Sequence, residues 1–215
     1  MKLWDKNKKV KLYSLCEEGT YGLIAEEICF HLKELTGKKH LPPVRIKKLN
    51  EASPPAIVLE INKSIGRESY RCFVDNKFLR IQGGDKRGLF YGIMAFFEEI
   101  GFRWYSPGKI GTVIPEKEKI EIPENWKISG SPSIQWRGLH ICGPGFTKNG
   151  EKIFHFDYET ALWMIRNKMN FKPIHNEEYE EIYPHMKELL LEPLAFGHSY
   201  SFWLPPSEFN KYPEF

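Results

Sequence analysis

The chain has 215 residues, with 31 Lys+Arg against 28 Asp+Glu, a formal net charge of +3 with His neutral. Hydrophobic residues make up 41% and aromatics 14%, a globular composition that excludes a disordered chain, while the near balance of charge excludes a strongly basic nucleic-acid-binding domain. No apolar run approaches the ~18–20 residues of a membrane helix, so no membrane partner is expected. The length suits one large or two small domains, not a complete eight-stranded barrel (~250 residues) plus a second domain. Met1 to Val10 is Lys-rich without an apolar stretch, so no secretory signal is expected and the expectation leans to the cytoplasm. Cys16, Cys29, Cys72 and Cys142 form no C-x-x-C pair; neither a zinc ribbon nor a disulfide framework is expected.

Val10 to Leu15 alternates and predicts a strand. A helix is expected from about Thr20 to Thr36, with Ile24, Ile28, Leu32 and Leu35 on one stripe, Thr20 as cap and Gly37 as stop. Pro42-Pro43 precedes an extended stretch, Val44 to Leu49. Ala56 to Ile61 reads as a buried strand. Tyr70–Val74 and Phe78–Ile81 flank Asp75-Asn76-Lys77 and predict a hairpin. Gly83-Gly84-Asp85-Lys86-Arg87-Gly88 then leads into a helix whose apolar face carries Leu89, Ile93, Phe96 or Phe97, and Ile100, with Asp85 as N-cap and Gly101 as stop. The glycine spacing fits neither G-x-G-x-x-G nor a P-loop, and an Asp cap repels phosphate, so a tight strand-to-helix turn is expected. Phe102–Tyr105 returns as a strand. The order predicts an α+β domain over residues 1–115, a sheet with two main helices. Residues 116–133, preceded by Pro115 and carrying Pro123 and Pro132, are expected to be a linker with one edge strand at Ile120–Ile122.

From residue 134 the pattern changes. Ile134–Cys142 predicts a strand, Phe156–Lys168 a helix with Leu162, Ile165 and Met169 on one face, and Asn170–Ile174 a second strand: a βα unit of a parallel sheet or barrel. Pro184 is placed at N1 of a short helix ending near Leu191.

Several runs resemble known families. "ELTGKKHLPPV", "LRIQGGDKRGLFYGIMAFFEEIGFRWYSPG" and "VIP" resemble the N-terminal domain of α-glucuronidases and the second domain of β-N-acetylhexosaminidases. The nearest likeness is to large bacterial proteins of unknown function with an α-glucuronidase-like N-terminal domain. "QWRGL" is similar to the start of the first strand in hexosaminidase-like barrels, and "RNKMN" to the helix end before their second strand. "GHSYSFWLPPSEFNKYPEF" is similar to a run of the bacterial family, with Tyr212 where that family has His. The sequence departs after Gly138: Leu139-His140-Ile141-Cys142 stands where hexosaminidases carry an Asp and an Arg-His pair.

The resemblance implies a non-catalytic accessory domain (1–115), a linker (116–133) and the first βα units of a truncated (β/α)8 barrel (134–215). It implies glycoside hydrolysis on glycans or glucuronic-acid-containing sugars, with a carbohydrate substrate as the partner. Hydrolysis needs two carboxylates, and in related barrels they come from later strands; only 82 residues follow Ser133 here, so no catalytic residue is expected in this chain. The alternative expectation is a non-catalytic carbohydrate-binding or scaffolding module.

Four residues are the candidate sugar contacts. Arg137 offers a planar fork of donors suited to vicinal hydroxyls or a uronate, and is expected on the rim that also carries His175 and Asn176. A salt bridge between domains is the competing role for Arg137. His198 is implied by the family likeness alone. Trp136 and Trp203 can stack on sugar faces, while Trp163, on a helix, is expected in the core. His140, Cys142, His155, His175, His185 and His198 match no standard metal spacing, so neither metal nor cofactor is expected. The run Glu177, Glu178, Glu180 and Glu181 reads as a solvated helix start.

Overall fold

The computed structural model describes residues 1–5, 9–16, 22–139, 158–175, 179–196 and 211. A six-stranded mixed sheet forms its centre. Its strands are β2 (Lys11–Ser14), β3 (Val44–Arg45), β4 (Ala56–Ile61), β5 (Tyr70–Asp75), β6 (Phe78–Gly83) and β10 (Lys127–Gly130), in the order β10-β5-β6-β4-β2-β3. The β3, β2, β4 and β6 neighbours run parallel, whereas β5 and β10 are antiparallel to their neighbours. The expected hairpin joins β5 to β6 through Asn76 (φ 49°) and Lys77 (φ 65°), with Asp75 opposite Phe78. Two positive φ values in a two-residue loop are the type I′ geometry that matches strand twist. The extended stretch expected at Val44–Leu49 is shorter: β3 holds two residues, and Leu49–Glu51 turns as a 3-10 helix.

Helix α1 (Gly22–Thr36) buries Ile24, Ile28, Leu32 and Leu35 as the periodicity predicts; Thr20, its expected cap, lies outside the described residues. Helix α2 (Lys86–Ile100) starts at Asp85, whose Oδ1 accepts from the Gly88 N–H at 2.7 Å. It ends at Gly101 (φ 119°). A Cβ on Gly84 would stand 1.7 Å from the Gly66 carbonyl oxygen, and one on Gly88 2.4 Å from that of Ser69. Close backbone approach is thus what the glycine run permits, and the Asp85 carboxylate already occupies the helix start. Every residue from Gly88 to Phe97 is buried, where the sequence suggested one apolar face. Such a helix is covered on all sides: α2 packs on β5 and β6 with one flank, and α1 and α3 (Tyr158–Arg166) cover others.

The expected 116–133 linker is largely built into this layer. β9 (Lys119–Glu121) pairs antiparallel with β1 (Lys2–Asp5), and β10 extends the central sheet by pairing with β5. Half-buried Trp126 and Ile128 pack on the apolar core, so these residues contribute two strands where one was expected. The strand expected at Phe102–Tyr105 is β7 (Arg103–Trp104), paired with β8 (Thr112–Val113).

Among the described residues after 133, none joins the six-stranded sheet; they form a second unit, with secondary structure of its own, packed on it. Residues 134–139 form no strand, although the Arg137 carbonyl accepts from the Asn170 and Phe171 amides at 2.7 and 3.3 Å. Helix α3 is followed by β11 (Phe171–His175), α4 (Tyr179–Glu188) and β12 (Glu192–Phe196), and β11 and β12 pair in parallel. Pro184 lies inside α4 rather than at its start. Five residues of α4 precede it, so the missing N–H falls beyond the first turn and leaves the Glu180 carbonyl without its i+4 amide, and the helix begins earlier than the proline rule suggested. Ala161, Leu162, Ile165, Met186, Leu189 and Leu191 join the same apolar cluster as α1, α2 and the sheet.

Candidate functional site

Where the second unit meets the first, Glu68 is the centre of a buried polar cluster. Its backbone is left-handed (φ 55°), a conformation that costs a non-glycine residue ~1–3 kcal/mol and persists only when its surroundings hold it. The carboxylate supplies that hold. Arg87 Nη1 donates to Oε1 at 2.6 Å, Arg137 Nη2 to Oε2 at 2.5 Å, and Asn170 Nδ2 lies 3.2 and 3.1 Å from the two oxygens. Burial works against the charge, but hydrogen bonds from Arg137, Arg87 and Asn170 outweigh it and hold the carboxyl below its ordinary range. Glu68 is therefore ionised at neutral pH with its lone pairs occupied, which suits a structural anchor and not a general acid.

Both arginines are held beyond Glu68. Arg87 Nε donates to the Leu190 carbonyl at 2.7 Å and Nη2 to Glu192 at 3.0 Å; Lys187 completes that group with 2.6 Å to Glu192. Arg137 Nε donates to Lys168 O at 2.9 Å and Nη1 to Ile134 O at 2.5 Å, while Nη2 also lies 3.4 Å from the Tyr91 hydroxyl. Each guanidinium nitrogen of Arg137 thus faces acceptors of the protein itself. Asn170 ties the start of β11 to the Gln135–Arg137 segment, with Oδ1 accepting from the Arg137 amide at 2.8 Å and Nδ2 donating to Gln135 O at 2.6 Å.

A cleft of about 320 Å3 opens above this cluster, between the Arg67–Glu68 turn and residues 132–136. Trp136 stands on its rim, 55% exposed, in edge-to-face contact with Phe171 at 6.0 Å.

No protein-family model matches the sequence, and no curated protein does. Solved structures do match. Flavobacterium johnsoniae chitobiase (FjGH20) superposes with a TM-score of 0.57 at 19% identity, over 99% of this chain and 34% of its own. A mutant Streptomyces plicatus β-hexosaminidase in complex with its product GlcNAc gives 0.57 at 13% identity, over 89% and 42%. The family GH115 4-O-methyl-α-glucuronidase BtGH115A, with specificity for decorated arabinogalactans, gives 0.54 at 13% identity, over 75% and 24%. The fold is glycoside-hydrolase-like. The chain spans 24–42% of the length of these enzymes.

In parallel α/β sheets generally, ligands gather at the carboxyl ends of the strands. His175 occupies that end of β11, opposite Phe196 of β12. Arg137 does not share it. Its backbone lies beside Asn170 and Phe171, at the start of β11, so the structure separates two residues expected on one rim. The reason is register: the Arg137 carbonyl pairs with the first residues of β11, a strand length (~3.3 Å per residue) from His175. Asn176 and His198 lie outside the described residues, as do His140, Cys142, His155 and Trp203. Trp163 is half-buried and donates its indole N–H to Trp104 O at 2.9 Å. Among the described residues no three His, Cys, Asp or Glu side chains converge as a metal site.

Sequence reasoning singled out Arg137 but not Glu68, Arg87, Asn170 or Glu192. Glu68 lies 19, 69 and 102 residues from its three partners, and no local pattern marks such a pairing.

Proposed function

We propose that this chain is the N-terminal portion of a glycoside hydrolase acting on glycans or glucuronic-acid-containing sugars. Its sheet domain serves as accessory domain, and α3 to β12 open a (β/α)8 barrel whose catalytic carboxylates belong to later strands. What carries this reading is the parallel β11–α4–β12 unit seated on the mixed sheet, an arrangement whose likeness to three sugar-cleaving enzymes extends over 75–99% of the chain. Sugar contact falls to His175, at the carboxyl end of β11, with Asn176 next to it and His198 two residues beyond the end of β12. Arg137 locks the two units together through Glu68.

The test compares residues 1–215 with the protein encoded when the reading frame is followed past Phe215, on aryl β-N-acetylglucosaminides and aryl α-glucuronides. Turnover by the longer protein and none by residues 1–215 is the expected result. Turnover by residues 1–215 that a single carboxylate substitution abolishes would place the acids in this chain. A longer frame without further βα units and without paired Asp or Glu at strand ends would leave the non-catalytic module as the function.

A further inference from the structure

We propose that the cleft between the Arg67–Glu68 turn and residues 132–136 is a secondary saccharide-binding site, at the opposite end of β11 from His175. The proposal rests on the carbohydrate reading above only for its choice of ligand class. Its floor is made of Glu68 and Asn170, both buried and fixed by the charged network. Its walls are different in kind: Arg67, Ser133, Gln135 and Trp136 are exposed, and the Arg67 side chain is 72% exposed, with a long ion pair of 4.0 Å to Asp85. The cleft therefore combines a rigid base with solvent-facing polar groups.

Three observations select the ligand. A volume of about 320 Å3 sits at the small end of the range of ligand clefts, ~300–1,000 Å3, enough for a sugar unit and not for a folded partner. Trp136 leaves more than half its surface in water while Phe171 steadies its ring. An exposed, steadied indole provides an apolar face beside polar groups, the surface that the C–H face of a pyranose covers while its equatorial hydroxyls reach amides and guanidinium groups. Finally, the Gln135 amide and the Ser133 hydroxyl both donate and accept, which matches hydroxyls better than it matches phosphate. Arg67 at the rim adds a donor that a uronate carboxylate would pair with. A glycan held here would lie on the junction between the two units, away from the strand ends where hydrolysis is proposed.

Residues 1–215 and the longer protein are titrated with chito-oligosaccharides, 4-O-methylglucuronoxylo-oligosaccharides and arabinogalactan oligosaccharides, read by calorimetry and by tryptophan fluorescence. Binding by residues 1–215 that weakens at least tenfold in W136A, and is partly restored in W136F, supports the site. Weakening in R67A for uronate-bearing probes only assigns Arg67 to the carboxylate. Circular dichroism checks each variant; if W136A fails to fold, Q135A, an exposed position, reads the same cleft. No binding by either wild-type protein, or binding that W136A and Q135A leave unchanged, overturns the proposal. A longer protein that hydrolyses glycosides while its oligosaccharide binding ignores both substitutions overturns this site and leaves the proposed function standing. Binding lost in W136A with no hydrolysis by the longer protein does the reverse.

Discussion

The sheet domain and the βα unit that follows it share one apolar cluster but differ in how much charge adds to it. In the first, Ile57, Leu79, Ile81, Leu89, Ile93 and Phe97 are fully buried, and cohesion comes from apolar burial spread over many contacts. The second joins that cluster through residues such as Ile165, Met186 and Leu191, and carries charged clamps in addition. Arg166 of α3 meets Glu27 of α1 in a two-pronged pair at 2.7 and 2.8 Å, and Arg87, Glu68 and Arg137 form the other clamp. Apolar burial tolerates small shifts in geometry, whereas a buried ion pair permits one register. The contrast teaches that the position of the second unit, more than the fold of the first, depends on a few directional contacts.

Removing Glu68 should break the contrast most severely. Glu68→Ala leaves Arg87 and Arg137 mostly buried beside a vacated anion site, and loss of one partner of such a pair costs about 3–5 kcal/mol. Amide exchange should accelerate in β11 and β12 well before β4 and β6. Uniform acceleration across both units would show that they unfold as one body.

The Glu27–Arg166 pair sharpens the same point. Arg166→Ala should destabilise by about 3–5 kcal/mol, because Glu27 would remain buried and uncompensated. Glu27→Leu combined with Arg166→Met should recover most of that loss in urea unfolding, since apolar replacements of a buried pair are often neutral. A double variant as unstable as the single one would mean that the pair does more than satisfy itself.

Acid should loosen both units, for two reasons. The carboxyls of Glu68 and Glu192 lie below their ordinary range; Glu68 is held there by arginine and amide hydrogen bonds against burial, and Glu192 chiefly by its bond from Lys187. Carboxylates of this kind stabilise above an ordinary pKa of 4.5, and the contribution disappears as the pH falls through the folded values. His31 acts at higher pH. Burial, then the nearby Arg166, push it down to about 3 from 6.5, so it stays neutral although Glu27 lies 3.8 Å away. Below pH 6.5 the unfolded chain takes up a proton that the folded chain refuses. Stability should then decline as pH drops, approaching ~1.4 kcal/mol per pH unit. Urea midpoints measured from pH 8 to 4 should show this decline, and H31Q should flatten it between pH 6.5 and 4.5.

The smallest effect belongs to the sheet domain. Asp85→Ala removes the cap on Gly88 and the bond from the Glu68 amide at 3.2 Å, for about 1–2 kcal/mol by thermal unfolding. A loss as large as that of Glu68→Ala would place Asp85 within the clamp.

Much of this was legible in the sequence, and the reason is range. The stripe Ile24–Ile28–Leu32–Leu35, the Asp85 cap and the Asn76-Lys77 turn each depend on residues within four positions or on strand alternation, so composition and spacing determined them. Arg137 was legible as a residue of consequence, and so was the interface salt bridge as one of its roles. Its partner was not, because Glu68 is 69 residues away in a turn with no periodicity of its own. Only the tertiary structure decided that β10 extends the sheet at its edge, that α2 is covered on all sides, and that Arg137 and His175 stand at opposite ends of a strand. Those outcomes depend on which distant backbones pair and in what register, and local chemistry leaves that choice open until the layers pack.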